Sequence, residues 1–365
     1  MSWGKILFKD TMPPFLQFVI RRLFAMLVSL VIITMVLYAG VMLTPPEARA
    51  TLYVPPGKGG ENITENYIKT VIKNNHLDEP YLVQYAYWVK SLVSGSWGYS
   101  PTLREDVLPA LLKRTPVTLE LALYSLLLLI PFGLASGLLA GWRAGRPFDA
   151  IFRLTAFFGT SMPPFIFSMI LLSIFYVKLD WFGPGRVDVL TGIEISKASF
   201  VNYTGFLTID SLLNHRFDIF LDALRHLVLP VLTLSMFHWA TLGRITRATV
   251  LGERNKEYIV SARARGVNER RLIWRHALRA ILAPSLTTIA LSAASVVTGI
   301  FVVEIIFGLT GISNVIVIAM SSSPDAPATL GFAVYSVIMV IGLMFILDVA
   351  QAIFDPRVRE EVLKA

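Results

Sequence analysis

An all-α polytopic membrane protein with six transmembrane helices follows from three observations on this 365-residue chain. Its residues are 55% hydrophobic and only 16% charged, against about 25% charged in ordinary soluble domains. The apolar excess lies in discrete runs of about 20 residues, the length at which a helix rising about 1.5 Å per residue crosses a hydrocarbon core of about 30 Å. The basic residues, which leave a net charge of +8, gather in alternate loops. An extracytoplasmic subdomain between the first and second helices and a basic cytoplasmic loop between the fourth and fifth complete the expected architecture.

Residues 1–43 hold a cytoplasmic N-terminus and the first span, whose apolar part runs from about Leu23 to Leu43 after Arg21 and Arg22 and stops at Pro45 and Pro46. Ala48-Arg49-Ala50 offers a cleavage-like triplet. The apolar run nevertheless exceeds the about 7 to 15 residues of a signal-peptide core, so the segment reads as an uncleaved anchor. Residues 44–116 are mostly polar with aromatic punctuation, Tyr81, Tyr85, Tyr87 and Trp88 and then GSWGYS from Gly95 to Ser100, and read as the extracytoplasmic subdomain. The transmembrane core covers 117–354, with further spans at about 117–141, 154–177, 226–243, 284–307 and 330–354. In the second span Gly133, Gly137 and Gly141 recur every fourth residue, which lets another helix approach its backbone. Pro163-Pro164 breaks the third span, a kink tolerated only where protein or a wet cavity covers the freed carbonyls. The fourth is short and contains Pro230 and His238, a loop is expected from Gly308 to Thr329, and 355–365 form a polar tail.

Six spans put both termini on one side. The N-terminus, the loop Trp142 to Arg153, the segment 244–283 and the tail hold 20 of the 33 lysines and arginines, so these parts are expected in the cytoplasm. Topology accounts for the basic charge without nucleic acid. Catalytic chemistry finds no support: Gly57-Lys58-Gly59-Gly60 lacks the leading glycine and the following Ser/Thr of a phosphate loop. The five histidines show no metal-ligand spacing, and there is no cysteine. No catalytic residue, metal or cofactor is therefore expected in this chain. Ionisable groups in the spans are few. Glu120, Glu304 and Asp348 lie towards span ends and His238 lies near a midplane, each open to a pathway role or to local capping and packing. A proton- or sodium-driven carrier would need more such groups at the midplane.

The segment Glu257 to Pro284 is the most informative stretch. On a helix Ile259, Ala262 and Gly266 share a small-residue face that another protein could approach closely. Gly266 interrupts that helix, and beyond it Arg271, Arg275 and Arg279 repeat every fourth residue opposite Ile273, Ala277, Ala280 and Ile281. An amphipathic basic helix lying on anionic membrane lipid is the alternative reading.

Glu257-Tyr258-Ile259, Ser261-Ala262-Arg263-Ala264-Arg265-Gly266 and Arg275-His276-Ala277-Leu278-Arg279 before Pro284 resemble the cytoplasmic coupling loop of ABC transporter permease subunits, in the dipeptide/oligopeptide branch of binding-protein-dependent importers. GSWGYS, TLELAL (Thr118 to Leu123), TGFLTIDSLL (Thr204 to Leu213), HLVLPVLTL (His226 to Leu234), VVEIIF (Val302 to Phe307) and DPRVR (Asp355 to Arg359) extend the resemblance in family order over nearly the whole chain. Departures are Val260 where the general signature has glutamate, Thr310-Gly311-Ile312-Ser313 in place of Pro-Gly-x-Gly, the loop Ser321 to Gly331, and Leu52 to Ile72, which has no counterpart. They bear on substrate identity and not on class.

The resemblance implies a multi-pass subunit of a prokaryotic inner membrane. Its implied partners are a homologous second permease subunit, forming a heterodimer, two ABC ATPase subunits that bind ATP and Mg, and an extracytoplasmic solute-binding protein that delivers peptides. It also implies that Ala262 and Gly266 permit close approach of the ATPase, that Arg263 and Arg265 pair with its acidic groups, and that Glu257 orients the helix start. Oligosaccharides or a metal chelate as cargo, or an ion-coupled secondary transporter, are the alternative functions.

Overall fold

A computed structural model of the protein describes residues 13–50, 65–197, 200–321 and 325–354. The Gly57–Gly60 run and the Asp355–Arg359 motif lie outside the described residues. Among the described residues, five helices are long and apolar enough to cross a bilayer, and a bent pair makes a sixth if it is one span. The elements are α1 (Pro14–Val41), α2 (Pro46–Ala50), α3 (Glu65–Asn74), α4 (Tyr81–Val93), β1 (Tyr99–Ser100), β2 (Glu105–Asp106), α5 (Val107–Trp142), α6 (Pro147–Ser161) and α7 (Pro164–Leu171). A π-helical run, Leu172–Lys178, continues α7 and is followed by α8 (Val189–Ile195), α9 (Leu207–Leu213), α10 (Phe217–Glu253), α11 (Glu257–Ala264) and α12 (Glu269–Arg271). A second π-helical run, Leu272–Ala277, leads into α13 (Leu278–Ile306), then α14 (Ser313–Ser321) and α15 (Ala326–Phe354).

Helices outrun the apolar segments that reveal them. α5 begins at Val107 and not Val117, and α10 has 37 residues, a length of about 55 Å where a bilayer needs about 30 Å. Apolarity marks where a helix meets lipid, whereas α10 continues at both ends through the charge-bearing stretches DIFLDALR and RITRATVLGE. The expected loop 308–329 contains α14, which is mostly apolar but at nine residues too short to span. Between α6 and α7 the chain bends by 106°. Met162, held extended (φ −96, ψ 120) by the proline after it, ends α6 there.

The chain divides into two compact units. In the larger, built around Pro116–Thr310, α10 is the central helix and packs on α13, α6, α7 and α9. Its seam with α5 runs along the fourfold glycines. A Cβ at Gly137 would sit 2.4 Å from the Gly243 carbonyl oxygen, one at Gly133 2.8 Å from Leu242 and one at Gly141 2.7 Å from Val250. Small residues thus let two backbones approach. Polar groups cross the same seam: Trp239 Nε1 donates to Ser136 Oγ at 2.9 Å, and Ser235 Oγ donates to the Ser125 carbonyl at 3.1 Å.

The smaller unit comprises Ile20–Thr115 and Gly311–Gly342. Tyr81 donates its hydroxyl to the Met35 carbonyl at 2.6 Å, and Trp88 stacks on Tyr38 at 4.9 Å, fixing α4 along α1. β1 and β2 pair antiparallel, Tyr99 opposite Asp106. Buried Asp325 accepts hydrogen bonds from the Ser100 hydroxyl (2.6 Å) and the Thr102 hydroxyl (2.7 Å), and from the Ala328 amide (3.0 Å) at the start of α15. Burial by itself would raise the Asp325 carboxyl, but these donors together hold it below the usual carboxylate range.

Candidate functional site: the elbow and the polar cluster of the helix ends

The elbow is a short helix clamped onto its own chain. α11 starts after extended Lys256, and Glu257 lies exposed in its first turn, where a carboxylate complements the helix dipole. Just before it, Glu253 accepts from Lys256 Nζ at 2.6 Å and from the Tyr258 hydroxyl at 2.8 Å. Partial desolvation, and then this bond to Glu253, push the Tyr258 phenol up to about 12. At its end the Val267 amide donates to Ala262 O (3.1 Å) and the Gly266 amide to Arg263 O (2.9 Å), the two bonds of a Schellman cap. Gly266 adopts φ +80, and no atom lies within 4 Å of where its Cβ would be. Its glycine is required by backbone conformation.

The face expected to be open is turned inward. Ile259 and Ala262 are 0% and 1% exposed, because α11 packs on the π-helical run Leu272–Ala277. Periodicity correctly put the two on one side, but the chain itself covers that side. Tyr258, Val260, Ser261, Arg263, Ala264, Arg265 and Gly266 are exposed instead.

Arg263 already has an acidic partner within the chain. Its Nε donates to Glu269 Oε1 at 2.7 Å, Trp142 Nε1 donates to Glu269 Oε2 at 2.8 Å, and the guanidinium lies 5.8 Å from the Trp142 ring centre. The Arg263 bond holds the Glu269 carboxyl below its ordinary range. Arg265 makes no ion pair among the described residues. Arg271 and Arg275 are exposed, and the run that carries Arg275 is π-helical, which offsets the fourfold register expected of a regular helix.

Rigid connections run from the elbow into the bundle. Leu138, Val250, Ile273, Ala277 and Ile281 form a buried cluster that joins the ends of α5 and α10 to the start of α13. The first turn of α6 is fastened to α10 by Arg247, whose guanidinium donates twice to buried Asp149 at 2.5 and 3.0 Å. This pair, 98 residues apart, was missed because neither partner lies in a distinctive motif.

Of the charges predicted inside the spans, Glu304 and Glu120 share one polar cluster, whereas His238 and Asp348 lie elsewhere. Glu304 is fully buried and accepts the Thr118 hydroxyl at 2.5 Å, so TLELAL and VVEIIF meet. Two residues along, buried Glu120 accepts from Arg186 Nη2 (2.8 Å) and from the Thr208 amide (2.8 Å) and hydroxyl (2.7 Å), which adds TGFLTIDSLL to the same cluster. Asp210 closes that loop by accepting the Thr204 and Gly205 amides, both at 2.8 Å. His238 is 9% exposed, with the Phe237 ring edge-on at 5.2 Å. Asp348 is half-buried near the end of α15.

Residues 130–360 match the family described as binding-protein-dependent transport system inner membrane component, and residues 15–122 match the N-terminal membrane component of such systems. The chain is 32% identical over 347 residues to the di/tripeptide transport system permease protein DppB of Pseudomonas aeruginosa, covering 95% of this chain and 99% of that protein. It is 30% identical over 342 residues to the oligopeptide transport system permease protein AppB of Bacillus subtilis, covering 93% and 98%. The dipeptide permease protein DppB of Escherichia coli K12 is 28% identical over 349 residues, covering 95% and 99%. The chain therefore belongs to the family of binding-protein-dependent transport system inner membrane components.

Proposed function

We propose that this chain is the membrane-spanning permease subunit of an ATP-driven importer, and that its cargo is di- or oligopeptides delivered by an extracytoplasmic solute-binding protein. The observation that carries the mechanism is the clamped elbow. α11 is packed on the run that continues into α13, and the buried cluster at Ile273 and Ile281 ties it to α5 and α10. A push on α11 is thus transmitted to these three spans as a rigid-body tilt and not absorbed locally.

On this reading the elbow is cytoplasmic, as are both termini, and its outer face docks in a groove on an ABC ATPase subunit. Tyr258 and Val260 are the apolar contacts and Arg265, which has no ion pair among the described residues, meets an acidic group, while Glu257 orients the helix start. Ile259 and Ala262 hold the helix to its own subunit, and Gly266 supplies the cap that lets the chain turn. ATP and Mg are bound by two such partner subunits, and a homologous second permease completes the path. Glu304 and Glu120 brace the helix ends, and His238 and Asp348 serve helix packing.

The peptide assignment rests on the names of the relatives. Reconstitution with the partner ATPases and binding protein, followed by ATP-dependent uptake of a labelled dipeptide or tetrapeptide, tests it. Uptake competed by an oligosaccharide or a metal chelate and not by peptides would overturn the cargo. Uptake that survives ATP depletion and collapses with an ionophore would overturn the class.

A further inference from the structure

Asp188, Asp222 and His226 offer three metal-ligand atoms that lie within 4.8 Å of one another. Spacing gave no hint of this, because Asp188 comes from the loop before α8 while Asp222 and His226 lie one turn apart in α10. The His226 ring is 2% exposed and is held at one nitrogen. Its Nδ1 faces the Asp222 carbonyl at 2.9 Å and Asp222 Oδ1 at 3.2 Å, so Nδ1 carries the proton and Nε2 presents a lone pair.

That lone pair is aimed at a carboxylate. Nε2 lies 3.6 Å from Asp188 Oδ1, too far for a hydrogen bond and facing another set of lone pairs. Two ligands each about 2.1 Å from a common zinc, at an angle of about 110–120°, are separated by about 3.5 Å. The other contacts leave the inner oxygen of Asp188 open. Asp222 Oδ2 accepts the Asp188 amide at 2.9 Å, which sets the loop against α10. Arg225 Nη1 stands 3.9 Å from Asp188 Oδ2, the outer oxygen, while its Nε and Nη2 donate to the Trp181 and Asp180 carbonyls.

The space in front of Nε2 is kept clear by a glycine. A Cβ at Gly183 would come within 3.1 Å of Nε2, although Gly183 has no positive φ that would itself demand glycine. A main-chain-fixed tautomer, a carboxylate at metal-ligand separation and a side-chain-free approach coincide at one nitrogen.

We propose that Asp188, Asp222 and His226 bind a divalent transition-metal cation of the zinc type, stapling the loop 183–188 to the first turns of α10. One imidazole and two carboxylates suit such a cation, and the carbonyl-bonded Nδ1 is the outer contact that orients a metal-bound histidine. The remaining coordination positions are left to water.

The test uses the untagged full-length chain in lipid nanodiscs, stripped with chelator and titrated calorimetrically with zinc chloride, with magnesium chloride as control. One equivalent of zinc is expected to bind, with affinity lowered at least about tenfold in His226→Ala, Asp188→Asn and Gly183→Val and unchanged in His215→Ala. Gly183→Val keeps all three ligands and only fills the approach, so its loss of binding separates metal coordination from damage to the ligand set. Helical circular dichroism shows that each variant is folded. No zinc binding to the parent chain overturns the proposal. So does zinc binding that persists unchanged in the three variants.

Discussion

The α5–α10 seam and the elbow both depend on glycine, for opposite reasons. At Gly137 the backbone is ordinary helix and the neighbour is too close, a Cβ falling 2.4 Å from a carbonyl oxygen. At Gly266 nothing is close, but φ is +80. The first glycine is a statement about what is already packed there. The second is a statement about the path of the chain, and it leaves the surrounding space open. The seam is a finished interface, whereas the elbow is finished only on its inner side, where Ile259 and Ala262 are buried, and bare on its outer side at Tyr258 and Val260.

The largest effect belongs to the seam. Gly137→Leu forces α10 away from α5 and is expected to cost about 3 kcal/mol or more, as overpacking against a rigid backbone does. It would appear as loss of folded protein or a large drop in unfolding temperature in nanodiscs. An unchanged unfolding temperature would mean that the helices do not meet there.

Gly266→Ala comes next, with a cost of about 1–2 kcal/mol from the left-handed conformation alone. Gly266→Asn should recover most of it, because asparagine tolerates that conformation. Equal losses in the two variants would instead indicate that space at Gly266 is limiting, which would make the elbow resemble the seam.

Smaller still is the Arg263–Glu269–Trp142 link. The Glu269 carboxyl titrates lower in the folded protein than in the unfolded chain, so the contribution is present above its ordinary value of about 4.5 and is lost as pH falls through the lowered one. The pair is about half-exposed and screened, so Glu269→Gln should cost well under about 1 kcal/mol and flatten the stability curve only at acid pH. A comparable loss at pH 7 and pH 3 would contradict the assignment.

Much of this was legible in the chain. Apolar runs of bilayer length located the spans, fourfold glycine spacing located the seam, and Pro163-Pro164 located the bend. What stayed hidden has a common cause: a pattern says which residues share a face, not what covers it. Ile259 and Ala262 share a face and were expected to meet a partner protein, but residues 272–277 of the same chain reach them first. The same limit hid Asp325 behind an atypical loop, since its donors at Ser100 and Thr102 are more than 220 residues away. It also hid Asp149 beneath Arg247. Helix α14 escaped notice because a helix of nine residues carries no bilayer-length signal.

The bare outer face of α11 is the surface proposed to receive the ATPase. Val260→Asp places a charge on that face at a residue that is 50% exposed and stands apart from the buried pair Ile259 and Ala262. In vesicles carrying the assembled transporter, ATP hydrolysis stimulated by loaded binding protein should fall at least about tenfold in this variant, as for a central interface contact, while the unfolding temperature of the chain stays unchanged. Wild-type stimulation in a normally assembled Val260→Asp transporter would contradict the account.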